Sequence, residues 1–286
     1  MSVIDLSRLP APSVVETLDY ETIFAARKAR LLELYPPDER DDVEARLALE
    51  SEPMTKLLEE NAYRELVLRQ RINDAARAVM VATAAGADLD NLAALLDVAR
   101  LDGETDDELR GRTVMALEGY PTAGSVGAYE FHALSAHPDV KDVAVLSPIP
   151  GLVRLVVLAK SGDGTPADAV LDAVRDTVTA DRVRPLTDTV EVAAATVTPY
   201  TIRATLHVES GPSADTVRAA AETAARDYAE ARRSLGAYVA LSGIAAALHR
   251  PGVRRVEIIE PAADIDNAAA AAAALATLAL VTEVVS

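Results

Sequence analysis

The feature that most constrains this chain is a change of hydrophobic period near Val140. Upstream, apolar residues recur at helical spacings. Downstream, they alternate in short runs bounded by Gly and Pro. The two periods cannot share one kind of element, because a helix turns every 3.6 residues and a strand flips its side chains every two. The pattern predicts an α+β chain, with a helical N-terminal half followed by two small α/β modules of split βαβ-like type.

In the helical half, "PSVVETLDYETIFAARKARLLELYPP" offers Ser13 as a cap and a stop at Pro36-Pro37. "DDVEARLALE" predicts a short helix. Ser51 and Pro53 then open a long helix expected to reach Ala85 and stop at Gly86. Within it, Leu58, Ala62, Leu66, Ile72, Ala76 and Val79 read as one apolar stripe crossed by charge at Arg69. Glu60–Arg64 and Glu65–Arg69 stand four apart in the favourable order. Asp88 begins another helix, Thr105 and Glu108 form a capping box, and "SVGAYEFHALSAH" is a further helix closed by Pro138.

Beyond Val140, "VKDVAVLS" and "LVRLVVLA" read as strands joined through Pro148–Gly151. A strand–turn–helix plan recurs, with Ser161-Gly162 and Ser210-Gly211 at matching places. "RPLTDTVEVAAA" and "RRVEIIEP" supply further strands. The last segment is ambiguous: its Ala run favours helix, whereas "ATLALVTEVV" alternates like a strand.

Composition excludes several kinds of function. A net charge of −17 disfavours direct nucleic-acid binding, which needs cationic surface, and disfavours anionic membranes. The absence of Cys removes thiolate chemistry and Cys-based metal sites. With no Trp and few aromatics, a stacking platform is not expected. The N-terminus has no basic region followed by an apolar run, so a signal peptide is not expected. The Ala-rich stretch Asn267–Thr282 is short for a membrane span.

The candidate motifs for chemistry are weak. "SGDGTPADAV" lacks the Lys and spacing of a P-loop and is better read as a helix start capped by Thr165, with Pro166 in its first position. "DGETDDE" spaces carboxylates like a calcium loop, but Asp107 and Thr113 occupy positions that need Gly and Glu. His132, His137, His207 and His249 form no zinc motif, and no G-x-S-x-G elbow occurs. The residues therefore predict no enzyme, no catalytic or metal site and no cofactor. The long helix has two readings: a salt-bridged outer face, or a helix shared with another chain, where charge in the seam selects partner and register. Under the second reading Leu58, Ala62, Leu66, Arg69, Ile72, Ala76 and Val79 are the partner interface, and replacing Leu66 and Ile72 by Asp abolishes assembly.

Long blocks of the chain point further. "LPAPSVVETLDYETIFAARKARLLEL", "LALESEPMTKLLEENAYRELVLRQRINDAARAVMVA", "GADLDNLAALLDV", "GYPTAGSVGAYEFHALSAHPDVKDVAVLSPIPGLVRLVVLAKSGDGTP" and "DRVRPLTDTVEVAAATVTPYTI" occur in that order. Together they resemble the baseplate assembly protein J family of contractile-tailed bacteriophages and phage-tail-like particles, from about Ser2 to Ile265. The Ala run from Ala268 to Ala274 departs from the family's more polar final strand. The resemblance implies a structural wedge protein of a contractile tail, assembled in the bacterial cytoplasm and residing in the tail baseplate. It implies as partners a second copy, an I-like wedge protein, neighbouring wedges, the hub and spike, and sheath-proximal proteins. It assigns residues 1–100 to the wedge bundle. Residues 101–195 become helices plus a first α/β module, and residues 196–286 a second module with the Ala-rich tail. A type VI-like or other contractile injection system is the neighbouring reading, and a tail-associated hydrolase the reading from another class.

Overall fold

In a computed structural model, residues 6–10, 12–120, 124–211 and 213–285 are described. The chain divides into two compact units. One comprises Ser2–Ala99 with Asp106–Thr113, and the other Arg100–Thr105 with Val114 onward.

The first unit is helical. Its elements are α1 (Tyr20–Glu33), α2 (Arg40–Leu47), α3 (Pro53–Ala78) and α4 (Ala87–Ala94), together with most of α5 (Asp106–Met115). Residue 13 lies in a turn, not at a helix start. Helix α1 begins at Tyr20, because the Asp19 carboxylate accepts from both the Thr22 amide (2.8 Å) and the Thr22 hydroxyl (2.6 Å). Helix α3 starts with Pro53 in its first turn, and its N-cap is Glu52 rather than Ser51. It ends at Ala78, seven residues short of Ala85. The β-branched Val79, Val81 and Thr83 weaken helix there. Side chains also take the backbone acceptors: Thr83 donates to the Arg77 carbonyl at 2.8 Å, and Arg110 donates to the Val81 and Ala84 carbonyls, both at 2.8 Å.

The second unit holds α6 (Val126–Leu134), β1 (Val140–Ile149), β2 (Leu152–Ala159), α7 (Asp168–Val178), β3 (Thr189–Ala194), β4 (Thr196–Glu209), α8 (Ala214–Ala231), β5 (Tyr238–Val239), α9 (Leu241–Leu248), β6 (Val253–Glu260), β7 (Ile265–Asp266) and β8 (Ala271–Val285). Ser125 caps α6 by accepting from the Ala128 amide at 3.2 Å. Two three-stranded sheets run in the orders β1-β2-β3 and β6-β4-β8. In each, the central strand has one antiparallel and one parallel neighbour: β2 between β1 and β3, β4 between β6 and β8. The repeated strand–turn–helix plan corresponds to β2–α7 and β4–α8. Helix α7 starts at Asp168 with Ala167 as its N-cap, so Thr165 does not cap it. Pro166 keeps Thr165 out of helical dihedrals, and the Thr165 amide donates instead to Asp163 at 2.9 Å.

Each sheet has its own apolar core. Tyr129 and Ala133 of α6 and Val170, Val174 and Val178 of α7 pack on Val140, Val143, Leu155 and Val157. In the other sheet, Val217, Ala221, Ala225 and Ala229 recur every fourth residue on α8. They face Ile202, Ala204, Leu206 and Val208 of β4, with Ile244 and Leu248 of α9 alongside. Small residues bring the helices close: a Cβ on Gly243 would stand 2.2 Å from the Tyr228 hydroxyl.

The ambiguous last segment is strand. The helical alternative, suggested by alanine's propensity, loses to a parallel ladder of β8 with β4 that runs from Thr196↔Ala271 to Glu209↔Val285, with a bulge at Ala276. The alanines sit where the sheets meet. Ala195, the single residue between β3 and β4, packs with Ala272, Val156 and Leu158. Larger side chains would separate the sheets. Arg233 completes this junction. It donates to the carbonyls of Ala159 (3.3 Å) and Lys160 (2.8 Å) and pairs with Glu230 at 2.9 Å. Lys141 also reaches Glu230, and the Leu235 amide donates to Asp142 at 2.8 Å. Burial pushes the Glu230 carboxyl up, but hydrogen bonds from Arg233 and Lys141 outweigh it, so its pKa lies below the usual value.

Because the Arg233 side chain is only 11 % exposed, truncation strands two carbonyls as well as Glu230. Arg233→Ala is expected to cost about 2–3 kcal/mol, measured as a lowered urea midpoint. Ala273→Leu, which overfills the core under β8, is expected to cost about 1–3 kcal/mol in the same assay.

Candidate interaction surface

Helix α3 has 26 residues without an internal Gly or Pro, and two different faces. One face is held within the chain. Thr55, Ala62 and Asn73 are buried, and Leu58, Leu66 and Ala76 are half-buried. Thr55 donates to the Leu47 carbonyl at 3.3 Å, tying the start of α3 to the end of α2. Asn73 clamps the segment before α1 at two points. Its Nδ2 donates to the Glu16 carbonyl at 2.9 Å, and its Oδ1 accepts from the Glu16 amide at 3.0 Å. A buried amide with both ends satisfied fixes one register of that segment against the helix.

Charge reinforces this face. Glu65 accepts from Arg27 of α1 at 2.7 Å and pairs with Arg69 at 2.7 Å, and Arg69 also reaches Glu16 at 3.2 Å. The Arg27 hydrogen bond, acting with the charges of Arg27 and Arg69 and against partial desolvation, holds the Glu65 carboxyl below its usual range. Arg69 therefore serves contacts inside the chain.

The opposite face is open and carries exposed apolar side chains. Leu57, Tyr63, Val67, Leu68, Ile72 and Val79 are all exposed, Leu68 by 65 % and Val79 by 70 %. Tyr63, Val67 and Leu68 line a hollow of about 360 Å³ with Glu60 and Arg64, which pair at 2.7 Å across one turn. At 100° per residue Glu60, Arg64 and Arg71 fall between Tyr63 and Val67 on one side and Leu57, Leu68 and Ile72 on the other, so exposed apolar side chains flank a charged line, the mixed composition of a protein-docking face.

The single stripe expected from the sequence is thus two faces. Leu58, Ala62, Leu66 and Ala76 lie on or beside the face held within the chain, with Arg69 among them. Ile72 and Val79 lie on the open face. The step from Leu66 to Ile72 is six residues, which turns a helix by about 240° and carries the side chain away from the first face. Leu57, Tyr63, Val67 and Leu68 were missed for the same reason. Placing every apolar residue of the segment at 100° intervals would have found them as a second arc.

Elsewhere, the chemistry-bearing residues serve local structure. His132 sits 3.2 Å from the Gly119 carbonyl, and burial lowers its pKa. The His137 ring accepts from the Asp139 amide at 3.1 Å, and Asp107 pairs with Arg110 at 2.5 Å. Among the described residues, no group of three or more His, Asp or Glu is placed to hold a metal ion. Among them, too, no helix is long and apolar enough to cross a membrane.

Comparison with known proteins adds three domain matches in sequence order. The Baseplate J-like N-terminal domain matches residues 50–105, which contain α3. The Baseplate J-like central domain matches residues 121–194, and the Baseplate J-like protein C-terminal domain matches residues 200–281. Baseplate protein J of Escherichia phage P2 is 46% identical over 280 residues, covering 93% of each chain.

The two faces of α3 respond differently to truncation. Asn73→Ala leaves the Glu16 backbone without its partners and is expected to cost about 1–3 kcal/mol. Leu68→Ala on the open face is expected to change stability by less than about 0.5 kcal/mol. Urea unfolding of both variants checks the assignment. The depressed carboxyl of Glu65 adds stability that is present above its unfolded pKa and lost as pH falls through its lower folded value. Glu65→Gln is therefore expected to flatten the acid limb of a stability–pH curve.

Proposed function

The chain belongs to the baseplate J-like family, and on that premise we propose that it is a structural wedge protein in the baseplate of a contractile phage tail. The observation that carries the finer reading is the open face of α3. Leu57, Tyr63, Val67, Leu68 and Ile72 along one helix, with Val79 at its C-cap, are exposed close together, a concentration of apolar surface that another chain can cover. The occupant in this reading is the wedge bundle: α3 packs with a second copy and with an I-like wedge protein, laying apolar anchors into a groove between helices. Glu60 and Arg64 within this face set register and partner choice, since mismatched charge at a seam is costly.

The helical region then builds the wedge, and the C-terminal α/β region links neighbouring wedges into a ring around the hub and spike. With two copies in each wedge, contacts between neighbouring wedges close into a ring when their rotation fits. Such a ring needs two packings of similar free energy, so that a signal from the particle's periphery biases it towards the open one and the adjoining sheath contracts. The net charge of −17 keeps free subunits soluble before assembly.

Co-expression with the I-like protein tests the reading. The wild-type chain is expected to purify as a complex with two copies for each I-like chain. Leu68→Asp with Ile72→Asp is expected to abolish that complex while leaving the urea midpoint of the free chain nearly unchanged, because both positions are exposed. Assembly of the double variant at wild-type yield would refute the assignment. This pair separates assembly from folding more cleanly than Leu66→Asp with Ile72→Asp, since Leu66 is half-buried.

A further inference from the structure

Strand β8 lies at the edge of its sheet, in the order β6-β4-β8, and among the described residues no strand pairs with its outer side. It has 15 residues, about 50 Å of backbone at strand rise. Natural edge strands are protected by shortness, charge, proline or irregularity. Beyond the bulge at Ala276, β8 has little of this: it contains no Pro or Gly, and its one charged residue is Glu283. Leu278 and Leu280 turn inward against the core. Thr277, Ala279, Val281 and Glu283 point the other way and are exposed. An open edge of this length with a single charged residue is a template for another strand.

We propose that β8 pairs antiparallel with β8 of a second copy, centred on Leu280, so that two three-stranded sheets become one of six strands. This deepens the reading of the C-terminal region as the part that links wedges, and rests on it. The argument is the strand's own register. Antiparallel pairing about Leu280 sets Ala279 against Val281, Leu278 against Thr282 and Thr277 against Glu283. Inward residues meet inward residues and outward meet outward, so the core face stays continuous. The strand's single carboxylate, 3.5 Å from His207 of its own sheet, stands opposite Thr277 and never opposite its own copy. The other edge of the sheet has a different character. Strand β6 carries Arg254, Arg255, Glu257 and Glu260 and is followed by Pro261, which are edge-protecting features. Pairing of β8 with itself is isologous and closes at two copies, whereas pairing of β8 with β6 would run on as an open ladder.

The test is the native mass of the full chain at micromolar concentration with charge-swapped variants. The wild-type chain is expected to be a dimer. Val281→Lys is expected to be monomeric. Val281→Lys with Ala279→Glu is expected to recover the dimer, because each lysine then faces a glutamate of the other copy. That recovery separates lost pairing from lost folding. A monomeric wild-type chain, an open ladder of masses, a Val281→Lys dimer, or a double variant that stays monomeric while folded would each overturn the proposal. The two readings fail separately. If only this contact is wrong, Val281→Lys still forms the complex with the I-like protein and the masses above do not follow. If only the wedge reading is wrong, the β8 dimer survives in a chain that ignores the I-like protein.

Discussion

The two sheets of the C-terminal unit depend on Arg233. Its guanidinium reaches two successive carbonyls at the end of β2 while its own helix supplies Glu230 as counter-charge. Lys141 on β1 reaches the same carboxylate, and Asp142 accepts from the Leu235 amide just past α8. Charge-assisted bonds from one guanidinium to fixed acceptors tolerate little rotation. Beneath them the chain crosses between the sheets at Ala195, packed on Ala272. Polar bonds that set angle and small apolar residues that set distance together make one body of two small sheets.

The helical unit divides its labour by face. Asn73, Glu65 and Arg69 use one side of α3 to hold α1 and the segment before it. The other side exposes Leu57, Tyr63, Val67, Leu68 and Ile72 among charged residues. This separation suits an assembly protein, which must fold as a free subunit and bury more surface later. A core that needed Leu68 or Ile72 would leave nothing to offer a partner, and a fully charged outer face would leave nothing worth covering.

How much was legible in the sequence varied with the range of the forces. The helices of the first half and the strands after Val140 were readable because burial against any core imposes its period on the residues themselves. Their ends were less so. Ser13, Ser51 and Thr165 are good caps by type, but Asp19, Glu52 and Ala167 occupy those places. Cap choice follows where the preceding chain is anchored, as Glu16 is by Asn73. The early end of α3 rests on Arg110, from a helix some thirty residues later, taking carbonyls that local propensity would leave to the helix. The open face of α3 was half legible: Ile72 and Val79 were named, but on the wrong side, because a spacing of six was read as a continuation of a stripe that it leaves.

The sequence by itself determined the α+β class, the order of elements and, through long blocks of similarity, the baseplate J-like family. Those properties are written in local periodicity and in residue identity along the chain. Tertiary structure alone decided the fate of the Ala run. Alanine's intrinsic preference is helical and amounts to less than about 1 kcal/mol per residue. Against it stands a ladder of backbone bonds to β4 and a junction where Ala272 packs with Ala195, Val156 and Leu158. Neither the partner strand nor the gap between sheets is encoded near residues 271–274, so only the folded chain could make that segment a strand and leave its far edge open.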